Sequence, residues 1–435
     1  MKLLIQNAGL RIRGAFSEQA FGRAIMLLIS GNVISQIIVF FALPVITRIY
    51  APEHLSLLAV YVAILTMISV IACMRLEIAI PIPKSDETAV NLAALALLSA
   101  LIVTVLVTLV LLAIAIADIQ HLTGHPLWQY AWLFPLGTLF SGLFLTAQFW
   151  SIRQKRFFLI GRTRVFQAIV GTTTQIAAGM LQIIPFGLLL GHLLMTSAGS
   201  LGLFFSANSN DRHIAQLVSR EKMRRALLEY KDFPKFSVIE GLATTGAQQI
   251  TIILIVIFNT GAEAGFFFLA MRAMNAPISL VTNSLSQAYL QKAPGHLRNG
   301  TLREFTKKLL FLIAIAFLPL FAIFGFFSVT IFEVVFGSEW TRAGEIAVIL
   351  LPMFLLSLFS ASIGMVMNVT GQQKRMMQLK LMGFLLRVGG LLVAALVAPE
   401  NLIEAYAASS TIVLLIYFWV FYSASAQYNN SERMI

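Results

Sequence analysis

Two arginines lie far inside apolar stretches that are long enough to cross a membrane. Arg272 falls within residues 264–290 and Arg387 within residues 376–397. In a helix each would lie roughly 12–15 Å from the nearer membrane face. A charge at that depth is costly and often marks a functional site. Because the guanidinium fork suits phosphate oxygens and carboxylates, the two residues predict an anion-binding site inside the membrane.

The apolar stretches do not supply an obvious counter-charge for these arginines. None of the 19 aspartates and glutamates lies deep in a stretch, and Glu77, Glu240 and Glu333 lie near stretch ends. We interpret this as a cavity in which a ligand supplies the negative charge. The alternative is that each arginine bonds a backbone carbonyl, or that its side chain extends to the distant carboxylate of Glu240 or Glu333. Glu77 and Glu240 are also the best-placed carboxylates for ion coupling, although Glu77 could instead pair with Arg75 or Lys84.

Further polar residues recur at helical spacing around these positions. One face of the eighth stretch carries a polar stripe, which we define as Arg272, Asn275, Ser279, Asn283 and Ser286. A single Asn or Gln often only bonds two helices together, but five polar residues including an arginine exceed what packing needs. The predicted substrate-binding residues are Arg272, Arg387, Asn275, Asn32, Gln36, Gln248 and Arg48.

The elements that must position these residues are membrane helices. The chain is 58% hydrophobic and 11% charged, and its mean hydropathy of +0.85 far exceeds that of soluble domains. The predicted fold class is an all-α polytopic membrane protein with about twelve transmembrane helices in two six-helix lobes around a central cavity. The spans are predicted near residues 24–46, 55–75, 90–116, 128–150, 161–181, 184–206, 237–258, 264–290, 309–332, 344–367, 376–397 and 402–424.

Positive charge occupies alternate gaps between the spans. Residues 153–164 and 212–235 are rich in Lys and Arg, whereas the gaps at 118–126, 259–265 and 399–404 contain neither. This positive-inside pattern places both termini in the cytoplasm. The net charge of +12 then indicates attraction to anionic membrane lipids, and we expect no nucleic-acid partner.

The longest gap divides the chain into two halves. We predict a cytoplasmic N-terminal segment (1–23), an N-lobe with six spans (24–206), a cytoplasmic connector (207–236), a C-lobe with six spans (237–424) and a cytoplasmic tail (425–435). Met223, Ala226, Leu227 and Tyr230 recur at helical spacing in the connector, which predicts an amphipathic helix on the inner headgroups. That helix would be either an elbow between the lobes or a static linker.

The sequence shows no arrangement of residues that is typical of catalysis. Cys73 is the single cysteine, so an intramolecular disulfide is excluded and a thiolate metal site is disfavoured. The six histidines have no metal-ligand spacing, and no nucleotide-binding motif occurs. We therefore expect a protein that is not an enzyme, with no catalytic residues, metal or cofactor.

Several segments resemble the polysaccharide-transporter branch of the multidrug/oligosaccharidyl-lipid/polysaccharide (MOP) flippase superfamily, which includes the bacterial O-antigen flippases. The resemblance is ordered and spans nearly the whole chain, although Leu76 replaces a usual aromatic residue and Ser56 a usual glycine. The segments are SQIIVFFALPVITRIYAPEHLSLLAVY (35–61), MRLEIAIPIPKSDETAVNL (74–92), EYKDFPKFS (229–237), MRAMNAPISLVTNSLSQAYL (271–290), FGSEWTRAG (336–344) and GQQK (371–374).

The resemblance implies alternating access around a cationic cavity. The implied substrate is an O-antigen or related oligosaccharide repeat unit, linked through diphosphate to undecaprenol, carried from the cytoplasmic to the periplasmic leaflet of the bacterial inner membrane. Arg272 and Arg387 would then contact the diphosphate or an acidic sugar, and Asn275, Gln36 and Gln248 would bond sugar hydroxyls. Other polysaccharide-assembly membrane proteins are expected partners.

Two other functions remain open at this point. A multidrug/ion antiporter of the same superfamily would share the fold, but it normally needs a membrane-embedded carboxylate. An integral-membrane polysaccharide polymerase, which is an enzyme, typically places a large loop on the outer side, whereas the long basic gap here faces inward.

Overall fold

The computed structural model describes residues 31–205, 214–258 and 261–431. These residues form helices and turns without a β-strand, and ten of the helices are long and apolar enough to span a membrane. The all-α, multi-pass fold class is therefore confirmed. The helices are α1 (Gly31–Ile49), α2 (Pro52–Ala72), α3 (Asp86–Ile116), α4 (Leu133–Arg153), α5 (Phe157–Met180), α6 (Phe186–Ser197), α7 (Ser200–Phe205), α8 (Arg220–Glu229), α9 (Val238–Phe258), α10 (Glu263–Arg298), α11 (Leu302–Phe336), α12 (Thr341–Ile363), α13 (Gln373–Val397) and α14 (Leu402–Ser431).

Helices α5 to α7 occupy the places of the predicted fifth and sixth spans. The sixth span is interrupted rather than continuous, because α6 ends at Ser197 and Gly199 adopts a φ of +100° before α7 begins. Residues with a Cβ rarely adopt that backbone conformation. At 36 residues, α10 extends well beyond its predicted limits, and its length of roughly 54 Å exceeds the hydrocarbon core.

The described residues divide into two compact units, and each combines separate stretches of chain. The first unit contains residues 31–42, Ile68–Ala178 and Leu189–Val238; the second contains Leu43–Met67, Gly179–Leu188 and residues 239–431. The division into an N-lobe and a C-lobe at the connector stays a prediction.

Small residues allow α3 and α4 to pack closely in the first unit. Ala93, Ala96 and Ala100 of α3 are buried in a shared core. A Cβ atom placed on Gly142 of α4 would lie only 2.4 Å from the Cβ of Ala100. Such close helix contacts are typical of membrane bundles, where dispersion and packing replace the hydrophobic effect between helices.

The connector helix α8 is attached to the same unit. Ala226 of α8 is 2% exposed and belongs to that shared core. The fully buried Asn91 side chain donates to the Leu217 carbonyl oxygen (3.3 Å) and accepts from the Ser219 N–H (3.1 Å). The Ser219 hydroxyl in turn accepts the N–H of Lys222 and caps α8. An amphipathic helix therefore does form in the predicted connector, and it is held to the first unit by buried contacts.

In the second unit, the turn between α1 and α2 packs against residues from the other half of the chain. Trp340 is completely buried, and its indole N–H donates to the Thr47 carbonyl oxygen at 2.9 Å. The ring of Phe266 packs edge-on against Trp340 at 5.7 Å. A Cβ on Gly265 would lie 2.1 Å from the carbonyl oxygen of Pro52. Glycine is therefore required for α10 to approach the start of α2 this closely.

A further core region in the second unit joins one end of α10 to α11, α13 and α14. The Tyr289 and Thr306 hydroxyls are hydrogen-bonded at 2.8 Å, and the His296 ring stacks on Phe305 at 4.4 Å. The buried residues are Tyr289, Ala293, Leu302, Ile363, Val366, Met367, Leu379, Val420, Phe421 and Ala424.

Long apolar surfaces remain exposed on α3 and α11. Leu106 and Val110 of α3 and Phe311 and Phe326 of α11 are all exposed. In water such surfaces would drive association. In a bilayer they face hydrocarbon, and the helices satisfy their own backbone hydrogen bonds.

We predict that Gly142→Leu lowers the thermal unfolding temperature of the purified protein, because the new side chain collides with Ala100. Overpacking of this kind costs about 1–3 kcal/mol. Gly389→Leu on α13 is the matched control, since a Cβ there meets nothing within 4 Å. Equal unfolding temperatures for the two variants in detergent would contradict the packing described for α3 and α4.

Candidate anion-binding site

Arg272 lies in the interior of α10, nine residues after the helix begins. This places its Cα about 14 Å along the helix. The guanidinium carbon lies 5.7 Å from the centre of the Phe268 ring, one turn earlier on the same helix. A cation over an aromatic face is stabilised without losing its charge. The Phe268 ring is therefore one stabilising contact of the Arg272 guanidinium.

The predicted polar stripe is present on one face of α10. Asn275 and Asn283 are exposed, while Ser279 and Ser286 are half-buried. The hydroxyl of Ser286 donates to the Ala361 carbonyl oxygen at 2.5 Å and so bonds α10 to α12. The two asparagines have the freedom to bond a ligand, whereas Ser286 contributes to packing between helices.

Arg387 lies in the interior of α13, ten residues before the helix ends, or about 15 Å from that end. It is close enough to the hydroxyls of Tyr406 and Tyr417 on α14 to interact electrostatically with both. Its buried Nε atom has no hydrogen-bond partner among the described residues. A buried N–H without a partner is uncommon and calls for a physical reason. A ligand oxygen would satisfy it.

The two tyrosines were not predicted from the sequence. The Tyr417 hydroxyl donates to the Leu379 carbonyl oxygen at 3.0 Å. A Cβ on Gly383 would lie 2.3 Å from that hydroxyl, so the glycine makes room for it. Tyr406 and Tyr417 are eleven residues apart, which is three helical turns, and this spacing on the helix after Arg387 is the signal that could have identified them.

The α10 segment before Arg272 also reaches the surroundings of Arg387. The ring of Phe267 packs edge-on against Tyr406 with 5.5 Å between ring centres. Both rings are buried. The second unit thus connects the helix that carries Arg272 with the helix pair that surrounds Arg387.

The other predicted substrate-binding residues are distributed over both units. Gln248 is half-buried on α9 in the second unit. Asn32 is exposed and Gln36 half-buried on α1, and both belong to the first unit. Their roles as ligand contacts stay predictions.

Arg48 lies at the end of α1 and makes a backbone contact. Its Nη2 donates to the Val334 carbonyl oxygen of α11 at 3.1 Å. Thr47, the preceding residue, accepts the Trp340 indole N–H. This contact favours a structural role for Arg48, in holding the turn between α1 and α2.

The two predicted ion-coupling carboxylates have different surroundings. Glu240, in the first turn of α9, is half exposed and pairs with the Lys380 ammonium of α13 at 3.3 Å. Glu77, in the short helical turn after α2, is only 2% exposed. One of its carboxylate oxygens lies 4.0 Å from Arg75, and the other has no partner among the described residues. Burial raises the pKa of Glu77, while its own backbone hydrogen bond and Arg75 act in the opposite direction.

A cavity of about 560 Å³ lies between α10 and α11. Its lining is almost entirely apolar and includes Leu280, Leu285, Ile313 and Phe317. By helical geometry these α10 positions lie away from the polar stripe. The cavity therefore does not extend the polar site. Among the described residues, no group of three His, Cys, Asp or Glu side chains is arranged to hold a metal ion.

Comparison with known proteins agrees with the sequence resemblance. Residues 21–345 match the family described as polysaccharide biosynthesis protein. Comparison with curated proteins finds no match. The fold is similar to that of the lipid II flippase MurJ in an inward closed conformation (TM-score 0.63, 14% identity, covering 94% of this chain and 90% of that one).

Two MATE transporters also share the fold. One is an inward-facing MATE family transporter of the MOP superfamily (TM-score 0.60, 13% identity, 91% of this chain and 96% of that one). The other is a mutant of the Vibrio cholerae MATE transporter VcmN (TM-score 0.53, 13% identity, 94% and 96%). The predicted resemblance to the MOP superfamily is thereby confirmed at the level of the fold.

We predict that Glu77→Gln stabilises the protein more at high pH than at low pH. The raised pKa means that the folded protein holds the Glu77 proton more tightly than the unfolded chain does. Wild-type stability therefore falls as pH rises above the ordinary glutamate range, and the neutral glutamine removes that loss. The difference in unfolding temperature between variant and wild type should grow as the pH rises above the ordinary glutamate pKa of about 4.3. The exposed Glu304→Gln is the control; a pH-independent difference for Glu77→Gln would show that this carboxyl does not titrate abnormally.

Proposed function

Because the chain belongs to the polysaccharide biosynthesis protein family, we propose that it is a flippase for lipid-linked saccharides. Its substrate is an oligosaccharide repeat unit, of O-antigen or a related surface polysaccharide, linked through diphosphate to undecaprenol. Transport runs from the cytoplasmic to the periplasmic leaflet of the bacterial inner membrane by alternating access, with both termini in the cytoplasm. The family match and the fold shared with a lipid II flippase support this assignment.

The observation that carries the proposal is the presence of two arginines inside membrane helices of one unit. Arg387 has a buried N–H that no described residue satisfies, and two tyrosine hydroxyls lie nearby. Arg272 is held over an aromatic ring on α10. A diphosphate supplies both negative charge and several acceptor oxygens, so it complements these donors.

Predicted amide side chains would recognise the saccharide. Asn275 is exposed beside Arg272 on the polar stripe and would bond sugar hydroxyls, as would Gln248 of the same unit. Neutral amides suit this task because they both donate and accept hydrogen bonds. Of the two carboxylates proposed for ion coupling, Glu77 fits better than Glu240. Glu77 is buried and one of its oxygens has no partner among the described residues, whereas Glu240 is half exposed and pairs with Lys380.

A multidrug antiporter of the same fold would make a different demand on the site. A cationic drug needs a carboxylate at its binding site, whereas Arg272 and Arg387 present positive charge. The surroundings of the two arginines therefore favour an anionic substrate over a cationic one.

We predict that Arg272→Ala and Arg387→Ala each reduce export. Each change removes a charge-assisted contact of roughly 1.5–3 kcal/mol, or about tenfold or more in affinity. Lysine should restore activity only in part, because it keeps the charge but loses the two-pronged geometry. The measurement is surface polysaccharide in the source strain after deletion of this gene and expression of each variant.

The exposed Arg298→Ala, on the same helix as Arg272, serves as the control for loss of positive charge. Membrane abundance is measured for every variant. Accumulation of undecaprenyl-linked repeat units in the deletion strain would identify the transported lipid. Full export by both alanine variants at normal abundance would reject the roles proposed for the two arginines.

A further inference from the structure

A third arginine lies inside a helix, in the first unit. The sequence placed Arg164 among the basic residues of a cytoplasmic gap, but α5 already begins at Phe157. Arg164 is therefore seven residues into the helix, or about 10 Å along its axis. Its side chain is half-buried, whereas that of Arg162, two residues earlier, is exposed. The two neighbouring arginines thus differ in their surroundings.

Two residues of α4 hold the Arg164 guanidinium. Its Nη2 donates to the Gln148 side-chain oxygen at 2.9 Å, and its central carbon lies 4.7 Å from the centre of the Phe144 ring. Phe144 is 4% exposed and packs with Ala147 and Leu203 in a buried cluster. Because the ring is fixed by this packing, the guanidinium has a defined orientation.

Neither of these contacts neutralises the charge. Gln148 and Phe144 are uncharged, and Arg164 takes part in none of the ion pairs among the described residues. Arg153, at the end of α4, shows the contrasting arrangement, since it pairs with the Asp86 carboxylate at 2.7 Å. An arginine that served only to hold α4 and α5 together would not need a charge, because a neutral amide pair can bond two membrane helices.

We propose that Arg164 binds a phosphate group of a membrane lipid at the end of the first unit where α4 and α5 meet. A guanidinium has five N–H donors in a planar fork, and Gln148 accepts from only one nitrogen. The oxygens of a phosphate match the donors that remain, and the negative charge compensates the half-buried cation. Because Gln148 and Phe144 already hold the guanidinium in place, the Arg164 side chain loses less conformational entropy when the phosphate binds.

The ligand assigned to Arg164 rests on the proposed function. The phosphate group is the diphosphate of the undecaprenyl-linked substrate. In the topology expected from the charge pattern, the loop between α4 and α5 is cytoplasmic. Arg164 would then contact the substrate in the leaflet from which transport starts. Gln148 acts as a positioning residue for Arg164.

The test measures lipid binding by the purified full-length protein. The probes are undecaprenyl diphosphate without sugars, uncharged undecaprenol and phosphatidylglycerol. Arg164→Ala and Arg164→Gln should weaken binding of undecaprenyl diphosphate about tenfold, as expected for loss of a charge-assisted contact. The glutamine variant can keep the bond to Gln148, so its folding should be preserved. Binding of undecaprenol should not change.

Arg162→Ala, which removes the same charge from an exposed position two residues away, is the matched control and should bind like wild type. Gln148→Leu should give an intermediate loss, because the charge remains but its orientation is relaxed. Size-exclusion profiles and unfolding temperatures establish that each variant is folded.

Three results would overturn the proposal. Unchanged binding of undecaprenyl diphosphate by Arg164→Gln would reject the site. This would hold even if reduced export by Arg387→Ala supported the proposed function. A parallel loss of phosphatidylglycerol binding would assign the site to bilayer phospholipid instead of the substrate. Failure of the wild type to bind undecaprenyl diphosphate would reject the proposed function and this inference together.

Discussion

A guanidinium buried in hydrocarbon without a carboxylate is the constraint on which the chemistry of this protein depends. Placing an arginine at the centre of a membrane helix costs about 2.5–3.5 kcal/mol on insertion scales. Around Arg164 the chain supplies neutral support from Gln148 and Phe144, and Arg387 has a buried Nε atom without a partner among the described residues. Such contacts reduce the cost of burial but leave the positive charge in place. The helices therefore present cations that an anionic ligand can compensate.

The second unit depends equally on one closely packed turn. Thr47 at the end of α1 accepts the indole N–H of the fully buried Trp340, and Gly265 brings α10 against Pro52 at the start of α2. Any movement of this turn away from Trp340 would break the indole hydrogen bond and expose the tryptophan ring. A transporter that works by alternating access must rearrange contacts of this kind, so this turn is where we expect such a rearrangement to be costly.

The sequence predicted the membrane helices well, because hydropathy and charge are local properties of the chain. It also placed Arg272 and its polar stripe on one helix face, since helical periodicity is local too. Contacts between distant residues were not predictable. The bond from Arg48 to Val334 joins residues 286 positions apart, and the pair of Lys380 with Glu240 joins residues 140 apart.

Helix boundaries caused the other errors. The predicted fifth span began at residue 161, whereas α5 begins at Phe157 and carries Arg164 further into the helix. The predicted sixth span ignored the left-handed backbone of Gly199. Tyr406 and Tyr417 were overlooked because their importance comes from packing beside Arg387, which hydropathy does not report.

Translocation in proteoliposomes tests the central claim most directly. Purified protein is reconstituted with a fluorescent undecaprenyl-diphosphate-linked saccharide, and a membrane-impermeant quencher then reports how fast the label crosses the bilayer. The account predicts crossing well above that in protein-free liposomes and a large reduction by Arg387→Ala, with Arg298→Ala close to wild type. Crossing no faster than in protein-free liposomes, or equal rates for Arg387→Ala and wild type, would contradict it.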